Sequence, residues 1–162
     1  MNSPNSVSTT ALAPFDIVIF GASGDLALRK LLPALFRLHL DRRVDGRSRI
    51  LGVAREPLTS DAYRTTVREA LHHAVPDAAG SELERFLSGV SYHPLDATRD
   101  AGWSEFASAC RGSEERVRVF YLSTSPALFA GLCQRLRRYG LDGAGSRVVL
   151  EKPIGHDLKS AA

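Results

Sequence analysis

The sequence predicts an α/β fold: a doubly wound, mostly parallel sheet of about five strands. Three observations predict it. Short β-branched runs alternate with longer stretches of helical periodicity. The first such run ends in a glycine turn that opens a helix. No repeat or interdomain linker interrupts the 162 residues, a length that buries one good core. Strands separated by helices imply right-handed βαβ units and therefore parallel pairing.

Each element has its own local cause. FDIVIF (residues 15–20) is a β-branched run bounded by Gly21, the mark of a buried parallel strand. From Asp25 to about Leu40 the residues Leu28, Leu31, Leu32, Leu35 and Phe36 recur at helical spacing, and Pro33 should kink that helix or end its first segment. RILGVA (49–54) is a second strand, followed by a helix over 60–75 capped by Thr59 or Ser60. A short helix is expected over 81–87. VSYHPL (90–95) is a weaker strand because Pro94 interrupts it. Residues 100–110 read as a helix and RVRVFYL (116–122) as a strand. Another helix runs from Pro126 to Tyr139, with proline at its first position and Gly140 to stop it. RVVLE (147–151) is the fifth strand, and Asp157 is placed to open a further helix. The pattern is Rossmann-like, and it stops where a sixth strand would be expected.

Composition narrows the function. With 21 Lys and Arg against 18 Asp and Glu, the net charge is a modest +3, without a basic block interleaved with aromatics. Nucleic acid is therefore not expected as a partner. Residues 1–14 are rich in Ser, Thr, Asn and Pro and read as a disordered tail rather than a signal peptide. The domain proper then runs over 15–162. No stretch is apolar enough to span a bilayer. Cys110 and Cys133 lie in helical segments and read as free thiols, which points to a reducing compartment and a cytoplasmic location.

The segment FGASGDLALRK (20–30) carries the chemistry. A strand, a tight glycine turn and a helix together hold a phosphate: Gly21 allows the sharp turn, and Gly24 lets backbone approach a pyrophosphate. The free amides and dipole of the helix N-terminus then face the anion. The spacing is G-x-x-G-x-x-A (Gly21, Gly24, Ala27) rather than the strict G-x-G-x-x-G, with the Ser23 hydroxyl available to a phosphate oxygen. Such turns also serve as plain connections, with Asp25 as a mere helix cap. A P-loop is excluded because no G-K-[ST] closes the turn. Arg55 directly follows the second strand, where an arginine suits the 2′-phosphate of NADP and an acidic residue the ribose of NAD. Glu56 beside it weakens that preference. Asp96 and Ala97, after the third strand, could border an adenine, although aspartate there is as often a turn former.

Taken together, GASGDLA, GVARE, FYLSTSP and VVLEKPIGHDL resemble the N-terminal part of the glucose-6-phosphate dehydrogenase family, from about Phe15 to the last residue. The resemblance implies oxidation of glucose 6-phosphate at C1 to 6-phosphogluconolactone, with hydride passing to NADP. By position, Gly21, Ala22, Ser23, Gly24, Asp25 and Leu26 would wrap the cofactor phosphates, and Lys30 would lie near cofactor and substrate. Arg55 would take the 2′-phosphate, with Asp96 and Ala97 beside the adenosine. Lys152 would contact substrate and help place the nicotinamide, Pro153 would orient the two ligands, and residues 121–126 would pass the nicotinamide ribose. His156 matches a variable family position and is read as exposed.

One part of the family pattern has no match in this sequence. The family's histidine base belongs to a segment like R-I-D-H-Y-L-G-K, and His39, His72, His73 and His93 lie in no such motif. A base must take the C1 hydroxyl proton before hydride leaves at a useful rate. The chain alone is therefore expected to be inactive, with oligomers expected only of the full-length family protein. A non-catalytic NADP-binding module is the alternative, and an uncovered sheet edge would favour aggregation.

Overall fold

Phe15–Phe20 form β1, and its alternation explains the architecture. Ile17 and Ile19 point to one face of the sheet while Val18 and Phe20 point to the other, and all four are buried. A strand apolar on both faces needs helices on both sides. The computed structural model describes residues 12–111 and 116–151. It contains β2 (Arg49–Ala54), β3 (Val90–Pro94), β4 (Val117–Leu122) and β5 (Ser146–Leu150), all parallel, in the order β3-β2-β1-β4-β5. The expected fold class is the one observed. Pro94 is tolerated because β3 is an edge strand, where the missing N–H breaks no inner ladder.

On one face pack α1 (Leu32–Leu40), α2 (Ser60–Ala74) and α3 (Gly80–Ser88); their Phe36, Val67, Leu71 and Phe86 close over Ile17, Ile19 and Ile50. On the other, α4 (Trp103–Cys110) and α5 (Phe129–Arg138) cover Val18, Phe20, Val53 and Phe120. Trp103 anchors that side, with Phe20 and Tyr139 stacked on it at 6.0 and 5.6 Å and Phe106 edge-on at 5.3 Å. Thr59, not Ser60, caps α2: its Oγ1 accepts the Ala62 amide at 3.1 Å.

Several boundaries differ from expectation for identifiable reasons. The helix that starts at Asp25 passes through a π-helical turn, Ala27–Leu31, before α1 begins. Pro33 has no amide to give to the carbonyl four residues back, and the ladder widens just ahead of it: Leu32 donates to Ala27 O, five residues back. Residues 100–102 are a turn ending at Gly102 in the left-handed region (φ 86°), so α4 starts at Trp103. Pro126 opens a 3₁₀ turn, Pro126–Leu128, which leads into α5. The helix expected from Asp157 and residues 1–11 of the tail expected over 1–14 lie outside the described residues, while the Leu12 amide of that tail donates to Arg43 O at 3.0 Å.

One buried charge escaped the sequence reading. Asp16 is 4% exposed in β1, and Arg49 of β2 donates to it from Nε at 3.0 Å and Nη2 at 2.5 Å, with Arg116 at 3.5 Å. A buried carboxylate persists only when paired in this way, and it joins the strands at their amino ends, away from the site. Cys110 and Cys133 are free thiols, and burial pushes the Cys110 thiol up to about 11, which makes it unreactive at neutral pH. Among the described residues no helix is long and apolar enough to cross a membrane.

Candidate functional site

The chain runs outward from β1 to β2 and β3, then crosses back to place β4 on β1's other side. Above this reversal, at the carboxyl ends of the strands, parallel α/β sheets bind their ligands. There the structure has a cleft of about 480 Å³. Its floor is the Gly21–Gly24 turn, one wall is the Ala54–Glu56 and Leu95–Thr98 loops, and the other is Ser123–Leu128 after β4.

The turn is built by close approach. Gly21 has φ +81° and lies so near the loop after β4 that an added Cβ would sit 2.2 Å from Ser123 O. Its amide donates to Val53 O at 2.8 Å, and the Gly24 amide closes the turn on Gly21 O at 3.0 Å. The first bond of the following helix runs from the Leu28 amide to Gly24 O at 3.0 Å. The amides of Asp25, Leu26 and Ala27 therefore precede the helical ladder, as an anion-binding N-terminus requires.

Two tyrosines brace this frame from beneath. Tyr63 OH donates to Ala22 O at 3.0 Å and Tyr92 OH to Glu56 O at 2.8 Å, while the rings pack at 4.9 Å. Tyr63 reaches the turn because β2 has Gly52 beneath it, where a Cβ would fall 2.7 Å from the ring. Burial, with the Glu56 charge second, pushes the Tyr92 hydroxyl up to about 12, so it stays a donor. Tyr63→Phe should lower stability by about 1–2 kcal/mol in urea unfolding by stranding the Ala22 carbonyl; an unchanged midpoint would exclude the brace.

Of the sequence-predicted residues, Gly21, Ser23, Gly24, Arg55, Asp96 and Ala97 line this one cleft. Arg55 makes no ion pair among the described residues, and its charge helps hold the Asp96 carboxyl below the usual range. The larger cause is Thr98, whose hydroxyl and amide donate to Asp96 Oδ1 at 2.6 and 2.9 Å. Asp96 is thus a turn former that also borders the cleft. Ala22 is fully buried in the turn, its amide bonded to Val53 O and its carbonyl to Tyr63 OH, and it does not line the cleft. Asp25 is exposed and pairs with Arg29 at 3.2 Å, Leu26 is half-buried, and Lys30 is exposed on the π-helical turn; none of these three lines the cleft. Lys152, Pro153 and His156 lie outside the described residues. The neighbouring Glu151 carboxylate accepts a hydrogen bond from Tyr121 OH, which joins the ends of β4 and β5.

Sequence reading gave residues 121–126 a role along the ribose but not their orphaned hydroxyls. Ser123 Oγ and Thr124 Oγ1 are buried beside the cleft and have no hydrogen-bond partner among the described residues. Such groups are costly unless a ligand satisfies them. The serine and threonine of LSTSP were visible; the burial of their hydroxyls was not.

Comparison with known proteins agrees with this fold. Residues 18–162 match the family model described as glucose-6-phosphate dehydrogenase, NAD binding domain. The chain belongs to that family. Glucose-6-phosphate 1-dehydrogenase of Mycolicibacterium smegmatis is 46% identical over 154 residues, 91% of this chain and 31% of the relative; that of Gluconobacter oxydans is 45% identical over 153 residues, again 91% and 31%. The crystal structure of the Mycobacterium avium glucose-6-phosphate 1-dehydrogenase superposes with TM-score 0.82 at 33% identity, covering 91% of this chain and 32% of that one. A glucose-6-phosphate dehydrogenase solved with its substrate glucose-6-phosphate gives 0.79 at 34% identity, covering 94% and 33%. The chain spans about a third of the length of the curated relatives it matches.

Proposed function

We propose that the chain is the cofactor-holding portion of an enzyme that oxidises glucose 6-phosphate to 6-phosphogluconolactone with NADP. The observation that carries this reading is the cleft itself: a glycine turn at a helix start, an arginine on one wall with no ion pair among the described residues, and two orphaned hydroxyls on the other. These residues fit a dinucleotide. The backbone of residues 21–26 would hold the pyrophosphate, Arg55 the 2′-phosphate, Asp96 and Ala97 the adenosine, and Ser123 and Thr124 a ribose. The cofactor, when bound, supplies the hydride acceptor.

The chain's residues orient and shield that acceptor, and the tyrosine brace ties the glycine turn to the wall that carries Glu56. Lys152 would bind substrate and help set the nicotinamide, and Lys30 would lie nearby. Among the described residues no histidine lines the cleft, and turnover by this chain alone is not expected. Two free thiols accord with a cytoplasmic protein.

Calorimetric titration with NADP and with NAD tests this. Arg55→Ala should weaken NADP roughly ten- to a hundredfold, the worth of a charged hydrogen-bonding partner, and leave NAD nearly unchanged. Equal losses for both would remove Arg55 from the 2′-phosphate. Failure of the folded wild-type chain to bind either dinucleotide would overturn the reading.

A further inference from the structure

The two walls of the cleft belong to different connections. Leu95–Thr98 follows β3, whereas Ser123–Leu128 follows β4 and runs on into α5. One side chain of α5 reaches across to the first wall. Arg135 donates from Nη2 to Thr98 O at 2.8 Å and from Nε to Asp100 Oδ1 at 3.2 Å. It stands three residues from Leu132 and one from Leu136, at the margin of the helix's buried face, and its side chain is only 23% exposed. The guanidinium runs back over Gly131, one turn earlier, where an added Cβ would stand 3.4 Å from Nη1. Thr98 passes the constraint inward, because its hydroxyl and amide both donate to Asp96 Oδ1. Arg138 also pairs with Asp100, at 3.1 Å, but its side chain is 66% exposed, and among the described residues it makes no hydrogen bond to Leu95–Thr98.

Arg135 itself does not line the cleft. A guanidinium that bonds a main-chain carbonyl and a carboxylate at once holds both in a fixed geometry, as a lysine ammonium does not. We propose that Arg135 is a positioning residue of the cofactor site: without touching the ligand, it ties the Leu95–Thr98 wall to the helix that continues the opposite wall, and so sets the spacing of the two. The inference rests on the dinucleotide reading above, in which the adenosine lies on one wall and a ribose on the other. A wall released from this tie has to be ordered again when the ligand binds, and that ordering costs roughly tenfold in affinity. Because adenosine and ribose are common to NADP and NAD, both should weaken together.

Arg135→Met tests it, since methionine keeps an apolar stem but removes every donor. The wild-type chain, Arg135→Met, Arg135→Lys and Arg138→Met are titrated calorimetrically with NADP and with NAD, well below their melting midpoints. A residue that only stabilised the fold would lower the midpoint and leave the affinity of the folded chain unchanged. Arg135→Met should weaken NADP and NAD alike, by roughly tenfold. Arg138→Met should stay within about twofold of wild type, because an exposed ion pair is worth little. Arg135→Lys keeps one donor and should fall between the two. Wild-type affinity in folded Arg135→Met, or the same loss in Arg138→Met, would overturn the proposal. If Arg135→Met does not fold, an Arg135→Lys chain that binds both cofactors like wild type overturns it instead. A folded wild-type chain that binds neither dinucleotide would remove the dinucleotide reading and this one with it, whereas wild-type binding unchanged in the variants removes this one alone.

Discussion

Gly21→Ala is expected to unfold the domain or cost it roughly 3–5 kcal/mol, the upper range for a single substitution. Two penalties coincide at this residue. A φ of +81° is unfavourable for any residue with a Cβ, by about 1–2 kcal/mol. The new carbon would also lie 2.2 Å from Ser123 O and 3.0 Å from Ser123 C. Both are backbone atoms, so no rotamer change relieves the overlap. The ends of β1 and β4 would have to part, and with them the Ser123 amide to Phe20 O bond of 2.9 Å. Urea unfolding followed by far-ultraviolet circular dichroism measures the loss. A variant within about 1 kcal/mol of the wild type would show that the turn relaxes freely and that the approach of β4 does not constrain it.

Much of the frame was legible because it is written locally. Alternating and β-branched runs gave all five strands, and the spacing of Gly21 and Gly24 marked the turn that floors the cleft. What remained hidden is long-range. Tyr63 falls on the apolar stripe of α2 with Val67 and Leu71, so the sequence makes it core; that its hydroxyl reaches Ala22 depends on a residue 41 positions away. Asp16 is a charge in a strand otherwise buried, and its partner Arg49 belongs to the neighbouring strand in a register only pairing reveals. Pro33 predicted a disturbance of the first helix, but not that a widened turn would place it before α1. The hydrogen bond between Ser23 and Glu56 spans 33 residues and has no periodic signature. Sequence spacing thus identified the parts of the cleft, while the bonds that tension it came from the packing.

Gly24→Val separates the two glycines of the motif, with an opposite pattern of effects. Gly24 lies outside the positive-φ region, and a Cβ there would meet nothing but Gly21 O, at 3.2 Å. The free chain can absorb that contact, so the cost in stability should be about 1 kcal/mol, the scale of replacing a favourable N-cap residue ahead of the helix by valine. Binding is another matter. Gly24 lines the cleft, and on the reading proposed above an isopropyl group there would occupy space that a pyrophosphate needs. Losing even two charge-assisted hydrogen bonds weakens a ligand by on the order of a hundredfold or more. Because the pyrophosphate is common to both cofactors, NADP and NAD should be lost together, unlike the selective effect of Arg55→Ala. Circular dichroism and melting should stay near wild type while calorimetry detects no binding. Retained affinity in a folded Gly24→Val chain would place the phosphates elsewhere, and the turn would then be a connection between β1 and the helix rather than a cradle.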